Sequence, residues 1–360
     1  MNRRVKVAII GCGGIANGKH LPSLAKMEQV ELVAFCDIYI DRAQKAAEQF
    51  GDPESKVFED YRELVKQPDI EVVHVCTAND SHAEITIAAL EAGKHVMCEK
   101  PMAKKASDAA LMLEAAKRTG KKLTIGYNNR FRSDSLLLKK MCEEGELGDI
   151  YFAKAHAVRR RGVPTWGVFL DEEKQGGGPL IDIGTHALDL TLWLMNNYEP
   201  RVVLGSAYHK LSKRANAANS WGPWDPGKFK VEDSAFGMII MKNGATILLE
   251  SSWALNTLDT REARCTLSGT EAGADMTDGL RINGEAYSKL YEKQFKLDPK
   301  GVDFYDGKRE SMQDVELRMW IEAVVNDTEP VVTPEQALVV SQLLEAIYES
   351  ARTGEAVYFD

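Results

Sequence analysis

Short apolar runs recur through the first third of the chain, and most are followed by a stretch with the spacing of an amphipathic helix. The runs are Val5–Ile10, 31–36, 72–76, His95–Cys98 and Leu123–Ile125. The helical stretches lie near 43–50, 61–66, 83–92 and Ala106–Thr119. Apolar runs that alternate with helices are typical of a parallel sheet buried on both faces. We therefore predict an α/β domain with a doubly wound parallel sheet over residues 1–126.

The pattern changes after residue 126, where longer segments alternate apolar and polar residues. An apolar helix over 180–194 precedes most of these segments, and the turn Lys242-Asn243-Gly244 separates two of them. The segments are 150–161, 202–209, 231–241, 245–255 and 263–267. Alternation joined by such turns indicates antiparallel strands and hairpins. We predict a second, α+β domain with an open, mostly antiparallel sheet over residues 127–360.

A last helix is predicted over residues 334–352. Thr333 precedes it as an N-cap, Pro334 occupies its first turn, and Gly354 follows it as a C-cap. This helix packs either within the second domain or back on the first, and the pattern alone does not choose between the two.

The composition fits two globular domains and excludes several classes of protein. The chain has 360 residues, of which 44% are hydrophobic and 28% are charged, which is ordinary for a globular protein. Its net charge of -9 argues against general nucleic-acid binding, which needs a basic face. No segment approaches the roughly 20 apolar residues that cross a bilayer, so no membrane partner is expected.

The six cysteines, at positions 12, 36, 76, 98, 142 and 265, form no Cys-x-x-Cys pair. Their spacing does not indicate a zinc site, and no metal is expected. Cys36, Cys76 and Cys98 each lie near the end of an apolar run, where a reduced cysteine serves as a small buried hydrophobic residue. Reduced thiols favour a cytoplasmic location.

A glycine-rich segment, Gly11-x-Gly13-x-x-Ala16, joins the first predicted strand to the helix after it. Gly11 permits a tight turn, Gly13 lets the backbone approach a pyrophosphate, and Ala16 lets helix and strand pack closely. The helix N-terminus then offers free N–H groups to the phosphates. The segment therefore predicts a dinucleotide site.

Asp37 ends the next strand, 21 residues after Ala16. A carboxylate at this point accepts hydrogen bonds from the adenosine ribose and repels a 2′-phosphate. Ile38 follows it, so no basic side chain is present there to receive that phosphate. We predict NAD(H) and regard NADP(H) as disfavoured. The alternative is that Asp37 merely caps the next helix.

Polar side chains follow three further strands, at the edge where doubly wound sheets bind their ligands. Lys100 is the most specific of them, because it ends a buried strand and Pro101 restricts its backbone to an extended shape. A lysine beside a nicotinamide ring is a candidate to relay a proton; the alternative is an exposed lysine at a strand end. The predicted cofactor contacts are Gly11, Gly13, Gly14, Ile15, Ala16, Asp37, Thr77, Asn79, His82, Glu99, Lys100 and Asn128.

A second polar group lies on the apolar helix, after the glycines and proline of segment 176–179. Asp182, His186 and Asp189 follow at a spacing that places them on one helix face. Their neighbours are apolar, so each needs a partner, and a ligand cavity would supply one. The structural alternatives are that Asp182 stabilises the helix N-terminus and that His186 is a satisfied core histidine. Zinc binding ranks low, because no cysteine or further histidine follows at a suitable spacing.

Together these motifs resemble the Gfo/Idh/MocA family (glucose–fructose oxidoreductase, inositol dehydrogenase, MocA). The resemblance rests on the 11–16 loop, Thr77-Ala78-Asn79 with His82, Glu99-Lys100-Pro101, Gly126-Tyr127-Asn128-x-Arg130-Phe131, the segment 176–189 and the closing Ala346-Ile347-Tyr348-x-Ser350-Ala351-x-x-Gly354. It implies an N-terminal Rossmann domain and a C-terminal α/β domain whose sheet mediates homodimers or homotetramers. It also implies reversible oxidation of a hydroxyl on a sugar, inositol or related polyol. Ala78 departs from the proline that many members carry.

The resemblance also assigns roles to individual residues. The lysine of the family's Glu-Lys-Pro motif maps onto Lys100, and the aspartate and histidine of its helix motif map onto Asp182 and His186. The substrate hydroxyl is then expected between His186 and Lys100, with His186 as the favoured base and Lys100 as the alternative. The predicted substrate contacts are Lys100, Arg130, His156, Arg160, Trp166, Asp182 and His186.

Three questions stay open at this point. The loop 216–229, with Trp221 and Trp224, suits either the rim of a sugar pocket or a contact with a neighbouring subunit. A relative acting on a non-sugar substrate, of the dihydrodiol or biliverdin type, would share the cofactor domain, although the helix with Asp182 and His186 favours a polyol. A non-catalytic NAD-sensing protein would keep the glycine loop, but the presence of Lys100, Asp182 and His186 together argues against it.

Overall fold

The computed structural model describes residues 3–297 and 310–360. The chain divides into two compact units, Met1–Asn128 with Glu310–Leu338 and Asn129–Arg309 with Val339–Asp360. The second domain predicted from sequence, residues 127–360, thus contains a segment that is grouped with the first unit.

The first unit is built on a six-stranded parallel sheet. Its strands are β1 Val5–Ile10, β2 Val30–Cys36, β3 Lys56–Phe58, β4 Val72–Val75, β5 His95–Cys98 and β6 Leu123–Ile125. They lie in the order β3-β2-β1-β4-β5-β6, and every neighbouring pair is parallel. The order reverses between β1 and β4, which opens a ligand crevice outside the carboxyl ends of the strands. The predicted doubly wound sheet is confirmed.

Five helices connect these strands: α1 Leu21–Leu24, α2 Ile40–Phe50, α3 Tyr61–Val65, α4 His82–Glu91 and α5 Ala106–Thr119. A π-helical turn, Ala16–His20, runs directly into α1. The wider turn is of a kind that recurs at functional sites, and here it carries two buried polar side chains, Lys19 and His20.

The second unit is built on a nine-stranded sheet. Its strands are β7 Ile150–Val158, β8 Pro200–Tyr208, β9 Ser234–Met241, β10 Thr246–Ser252, β11 Arg261–Gly269, β12 Ala272–Asp275, β13 Leu280–Ala286, β14 Lys289–Phe295 and β15 Val357–Tyr358. They lie in the order β14-β13-β12-β11-β7-β10-β9-β8-β15. Among these nine described strands, β10 and β7 are the one pair that is parallel, so the predicted open, mostly antiparallel sheet is confirmed. The turn at Asn243-Gly244 joins β9 to β10 as predicted.

Three helices precede or interrupt this sheet: α6 Ser133–Glu143, α7 Glu172–Gln175 and α8 Thr185–Met195. A second π-helical turn, Leu180–Gly184, lies immediately before α8. The helix predicted over 180–194 therefore begins with a wider turn, and simple α-helical spacing does not describe which of its first side chains share a face.

A helix that the apolar pattern did not predict, α9 Met312–Val325, belongs to the first unit. Its capping box is formed by Ser311 and Asp314. Leu317, Trp320 and Ile321 are buried in the same apolar cluster as β1 and β2. Burial of each such side chain contributes about 1.5–3 kcal/mol. Helix α9 is thereby held on the sheet that carries the glycine loop.

The last helix, α10 Pro334–Thr353, has the boundaries that the sequence indicates. Thr333 Oγ1 accepts the backbone N–H of Gln336 at 3.4 Å, and Gly354 follows the helix with φ of +77°. The division between the two units falls within this helix, after Leu338.

All six cysteines are free thiols, and five of them are buried, as expected for small hydrophobic residues. Within residues 3–297 and 310–360, none of the helices has the length and apolar character needed to cross a membrane.

Candidate active site

The glycine loop has the shape that a pyrophosphate requires. Gly11 has φ of +91°, and a Cβ there would lie 2.6 Å from the carbonyl oxygen of Cys76, so no other residue fits. At Gly13 and Gly14 a Cβ would meet nothing within 4 Å, which leaves the loop backbone open on its outer side. The Asn17 side chain donates to the carbonyl of Gly13 at 2.9 Å and holds the turn. The loop therefore fits a dinucleotide.

Asp37 fastens this loop to the end of β2. Its Oδ2 accepts the backbone N–H of Cys12 and its Oδ1 accepts that of Tyr39, both at 2.9 Å. Tyr39 is the residue just before α2, so the second bond holds the connection into the helix and does not cap the helix itself. An ionised carboxylate has about four acceptor positions, so two remain for ribose hydroxyls.

His82 joins two strand-end segments from within the first unit. It is fully buried; its Nδ1 lies 2.8 Å from the carbonyl oxygen of Pro101 and its Nε2 lies 3.2 Å from that of Thr77. Burial lowers the pKa of His82, although both carbonyls oppose this effect. The side chain therefore supports the residues that line the crevice, whereas direct contact with a cofactor was predicted for it.

Asn128, like the glycine loop, has a feature that a bound cofactor would explain. Its side-chain oxygen is buried and has no hydrogen-bond partner among residues 3–297 and 310–360. A buried carbonyl oxygen without a donor is costly. The carboxamide N–H₂ of a nicotinamide is a donor of the required kind, so Asn128 fits the predicted group.

A network of five buried polar side chains lies beneath the crevice. Lys19 Nζ lies 2.7 Å from Glu99 Oε1 and 2.9 Å from Glu316 Oε2. His20 Nε2 also lies 2.8 Å from Glu99 Oε1, and its Nδ1 lies 2.8 Å from Nδ1 of His74. Lys19 and His20 come from the π-helical turn, and Glu316 comes from α9. One lysine thus compensates two buried carboxylates.

The charges in this network follow from burial and pairing. Burial alone would raise the pKa of Glu99, but Lys19 and His20 hold it well below its usual value. Burial lowers the pKa of both His20 and His74, so both rings are neutral near pH 7. Because ionised Glu99 only accepts, His20 donates through Nε2 and accepts at Nδ1 from His74. Burial raises the pKa of Glu316 to about 7, with Lys19 opposing.

The network also fixes the backbone of Lys100. Glu99 Oε2 accepts the backbone N–H of Lys100 at 3.3 Å. At Gly126, at the end of β6, a Cβ would lie 2.9 Å from Glu99 Oε1, so glycine leaves the room that this carboxylate needs. Lys100 is therefore anchored at the carboxyl edge of the sheet by a charge held in the core.

In the second unit, another buried acid, Glu232, binds the backbone at the start of the helical segment that carries Asp182 and His186. Glu232 accepts the backbone N–H groups of Gly178 and Leu180 at 2.7 and 3.1 Å, and the hydroxyl of Tyr348 donates to it at 2.9 Å. Burial raises the pKa of Glu232 to about 7. This carboxyl satisfies the first N–H groups of the helix, a task that the sequence suggested for Asp182.

Asp182 is itself oriented by an indole. Trp253 is fully buried, and its Nε1 donates to Asp182 Oδ2 at 3.1 Å. His186 is half-buried in the first turn of α8. Asp189 has a separate role, because it is fully buried in a bidentate ion pair with Arg130 at 2.6 and 2.9 Å. The residues expected to form one polar stripe thus have two different roles: Asp189 pairs with a buried arginine, and Asp182 accepts a hydrogen bond from Trp253.

The predicted substrate contacts in the second unit differ in exposure. Arg130 is completely buried against Asp189 and serves packing. His156 is also buried, 3.1 Å from Glu250 Oε2. Arg160 and Trp166 are exposed. Arg130 and His156 are thus occupied by carboxylate partners and Arg160 and Trp166 are exposed, and contact of any of the four with a substrate stays a prediction.

Four of the residues described above were not predicted from the sequence: Lys19, His20, Glu316 and Trp253. A local signal existed for one of them: the Ser311-x-x-Asp314 capping box before an apolar run predicts the helix that carries Glu316. No comparable motif marks the other three.

Two sequence models of the GFO_IDH_MocA oxidoreductase family, one for each domain, together match nearly the whole chain. The NAD-binding Rossmann fold matches residues 5–127, and the C-terminal alpha/beta domain matches residues 139–359.

The chain belongs to the Gfo/Idh/MocA oxidoreductase family.

Several known proteins resemble the chain over most of their length. A D-glucoside 3-dehydrogenase of Escherichia coli (strain K12) is 36% identical over 357 residues, which cover 98% of this chain and 97% of the relative. An inositol 2-dehydrogenase/D-chiro-inositol 3-dehydrogenase of Lactiplantibacillus plantarum is 29% identical over 91% of this chain and 85% of its own. A levoglucosan dehydrogenase, in complex with NADH and levoglucosan, shares the fold with a TM-score of 0.84 over 99% of both chains, at 23% identity.

Membership of the Gfo/Idh/MocA family confirms the family resemblance, the enzyme class and the cofactor that were predicted from the sequence. The protein is an NAD-dependent oxidoreductase, and its first unit is the NAD-binding Rossmann domain.

Proposed function

We propose that this Gfo/Idh/MocA enzyme oxidises a ring hydroxyl of a glucoside, or of a closely related sugar or inositol, with NAD⁺. The observation that carries the proposal is the similarity over 357 residues to a D-glucoside 3-dehydrogenase. In support, Lys100 is anchored by the buried carboxylate of Glu99, and Asp182 is oriented by Trp253. These contacts provide a cation and a carboxylate with fixed positions within their own units.

In the proposed mechanism, bound NAD⁺ supplies the hydride acceptor. The 11–16 loop, Asp37 and Asn128 would hold it. His186 takes the proton of the substrate hydroxyl, and Asp182 orients this histidine or the hydroxyl. Lys100 donates to the developing alkoxide and completes the proton relay. Exchange of the two roles, with Lys100 as the base, is the alternative.

The test is a panel of substrates followed by NADH absorbance. The panel contains methyl and phenyl glucosides, cellobiose, glucose, myo-inositol and a dihydrodiol, each with NAD⁺ and with NADP⁺. We expect turnover of at least one glucoside with NAD⁺ and much less with NADP⁺. Oxidation of the dihydrodiol alone would assign the non-sugar alternative. Tight NADH binding without turnover of any compound would assign the NAD-sensing alternative.

We also propose that the enzyme is a cytoplasmic homodimer or homotetramer assembled through the sheet of the second unit. Leu204 on β8 and Met238 on β9 are cross-strand partners and are 50% and 41% exposed. Contiguous exposed apolar surface marks interaction sites, and these two residues are neighbours on the same part of the sheet.

Sedimentation velocity at micromolar protein tests this assembly. We expect a dimer or tetramer for the wild type and a monomer for the double variant Leu204→Lys/Met238→Lys, because the two lysines would place charge in the interface. A monomeric wild type would contradict the proposal.

A further inference from the structure

Two tryptophans of the second unit form an exposed aromatic pair. Trp166 and Trp221 are 51% and 46% exposed, their ring centroids lie 4.9 Å apart, and their planes are nearly perpendicular. Trp224, from the same loop as Trp221, is instead buried against Phe229, and its Nε1 donates to the carbonyl of Ser212. Trp224 therefore anchors the loop, and Trp221 is presented to solvent.

Hydrogen bonds join the two backbone segments that carry this pair, residues 161–166 and 219–221. Thr165 Oγ1 donates to the carbonyl of Trp221 at 2.9 Å. The Asn219 side chain accepts from the backbone N–H of Val163 at 2.8 Å and donates to its carbonyl at 2.9 Å. Ser220 Oγ donates to the carbonyl of Arg161 at 2.7 Å. The two exposed rings thus sit on segments held together before any ligand arrives, which lowers the entropic cost of binding.

The pair connects to Asp182 through a continuous aromatic path. The centroid of Trp166 lies 5.9 Å from that of Phe169, and Phe169 lies 6.3 Å from Trp253. Trp253 in turn donates to Asp182.

A second route from the pair to Asp182 runs through Arg159, whose guanidinium lies 5.5 Å from the ring of Trp221. Burial opposes the charge of Arg159, but its pair with Glu262 raises the pKa of the guanidinium, and the charge of Asp182 adds to that rise. Arg159 is thus within electrostatic reach of Asp182 while it lies over Trp221.

We propose that Trp166 and Trp221 form a subsite for the anomeric substituent of a glucoside, either an aryl group or a second pyranose ring. The inference rests on the proposed function and deepens it. The ring to be oxidised is placed at Asp182 and His186, and its substituent extends to the tryptophan pair. Aromatic faces bind aryl groups and the C–H faces of pyranoses. The subsite makes the enzyme prefer glycosides with bulky substituents to free monosaccharides.

The experiment compares Trp166→Ala and Trp221→Ala with the wild type on four substrates: glucose, methyl glucoside, phenyl glucoside and cellobiose. We expect KM for phenyl glucoside and cellobiose to rise about 3- to 10-fold in each variant, as loss of an aromatic contact implies. We expect kcat for all substrates, and KM for glucose and methyl glucoside, to change by less than about twofold. Tyr287→Ala is the matched control, because Tyr287 is fully exposed in the turn between β13 and β14.

A second measurement does not depend on the variants. Phenyl glucoside is expected to alter the tryptophan fluorescence of the wild-type enzyme saturably, and by more than saturating glucose does, because glucose reaches only Asp182 and its partner Trp253.

Equal rises in KM for all four substrates would overturn the subsite. A fall in sedimenting mass with equal loss of kcat on all four would overturn it in favour of a subunit contact. If the wild type oxidises none of the four, the proposed function fails together with the inference. If it oxidises them and the variants show no split in KM, only the subsite fails.

Discussion

Replacing Lys100 by methionine, or His186 by alanine, is expected to lower kcat about 10³-fold while NADH binding survives. General acid–base groups contribute about 10²- to 10⁴-fold to a rate, and both residues are assigned to proton movement at the substrate hydroxyl. Neither substitution removes Asp37 or the glycine loop, which are proposed to hold the cofactor. Steady-state kinetics with the best glucoside of the panel and fluorescence titration with NADH measure the two quantities separately.

Matched controls exist for both substitutions. Lys105 is exposed in the same connection as Lys100, and His209 is exposed just after β8. Lys105→Met and His209→Ala are expected to keep kcat within about twofold, as is usual for exposed side chains away from a site.

The double variant tests whether the two residues act in one step. Groups that act as a unit in catalysis are strongly non-additive. Lys100→Met/His186→Ala should therefore lose little more activity than the worse single variant. Multiplicative losses would contradict a shared proton relay, and near-normal kcat in both single variants would contradict the assignment itself.

The largest effect on stability is expected from Lys19→Met. This substitution leaves Glu99 and Glu316 buried without their shared cation. Removing one partner of a buried ion pair costs about 3–5 kcal/mol, because the remaining charge is uncompensated. Urea unfolding followed by circular dichroism, with a thermal scan as a second probe, measures the change in the free energy of unfolding.

Helix α9 provides a matched control for this prediction. Lys26 and Asp314 form an ion pair at 2.9 Å that also joins α9 to the region of α1, but Lys26 is largely exposed. Lys26→Met should cost less than about 1 kcal/mol, as exposed pairs do. The double variant Lys19→Met/Glu316→Gln should be more stable than Lys19→Met, because it leaves one uncompensated carboxylate instead of two. Equal costs for Lys19→Met and Lys26→Met would contradict the role of burial.

The cost of Lys19→Met should also depend on pH. Burial raises the pKa of Glu316 from 4.5 to about 7. The stability linked to this group is fully present below about pH 4.5 and is lost as pH rises through about 7. Without Lys19 the ionised form of Glu316 is still less favourable, so the deficit of Lys19→Met should be larger at pH 8 than at pH 6. A deficit that shrinks with rising pH would contradict this sign.

Local patterns were sufficient for most of the fold. The strands of the first unit are short apolar runs that end at polar residues, and their pairing in parallel follows from the helices between them. The glycine loop and Asp37 were found by spacing, because a tight turn and a strand end impose residue types locally. Strands β12 to β14 were not predicted; β14 is exposed over most of its length and carries little apolar signal.

The roles of buried polar side chains were predicted less well from the sequence pattern. The helix with Asp182, His186 and Asp189 was expected to present one polar stripe, whereas Asp189 forms an ion pair with Arg130 and Asp182 accepts a hydrogen bond from Trp253. Arg130 follows a strand end like the other polar residues, and no feature of its neighbours in sequence distinguishes a core arginine from a substrate contact.

The sequence by itself determined the two-part architecture, the cofactor NAD and the family, because each was predicted from motifs whose residues lie close together in the chain. The buried network beneath Lys100 was decided only by the tertiary structure. Lys19 and Glu316 come from opposite ends of the chain, and their pairing depends on α9 packing on the first sheet. The tryptophan pair was likewise decided by folding, since exposure of Trp221 and burial of Trp224 in one loop reflect contacts that spacing does not encode.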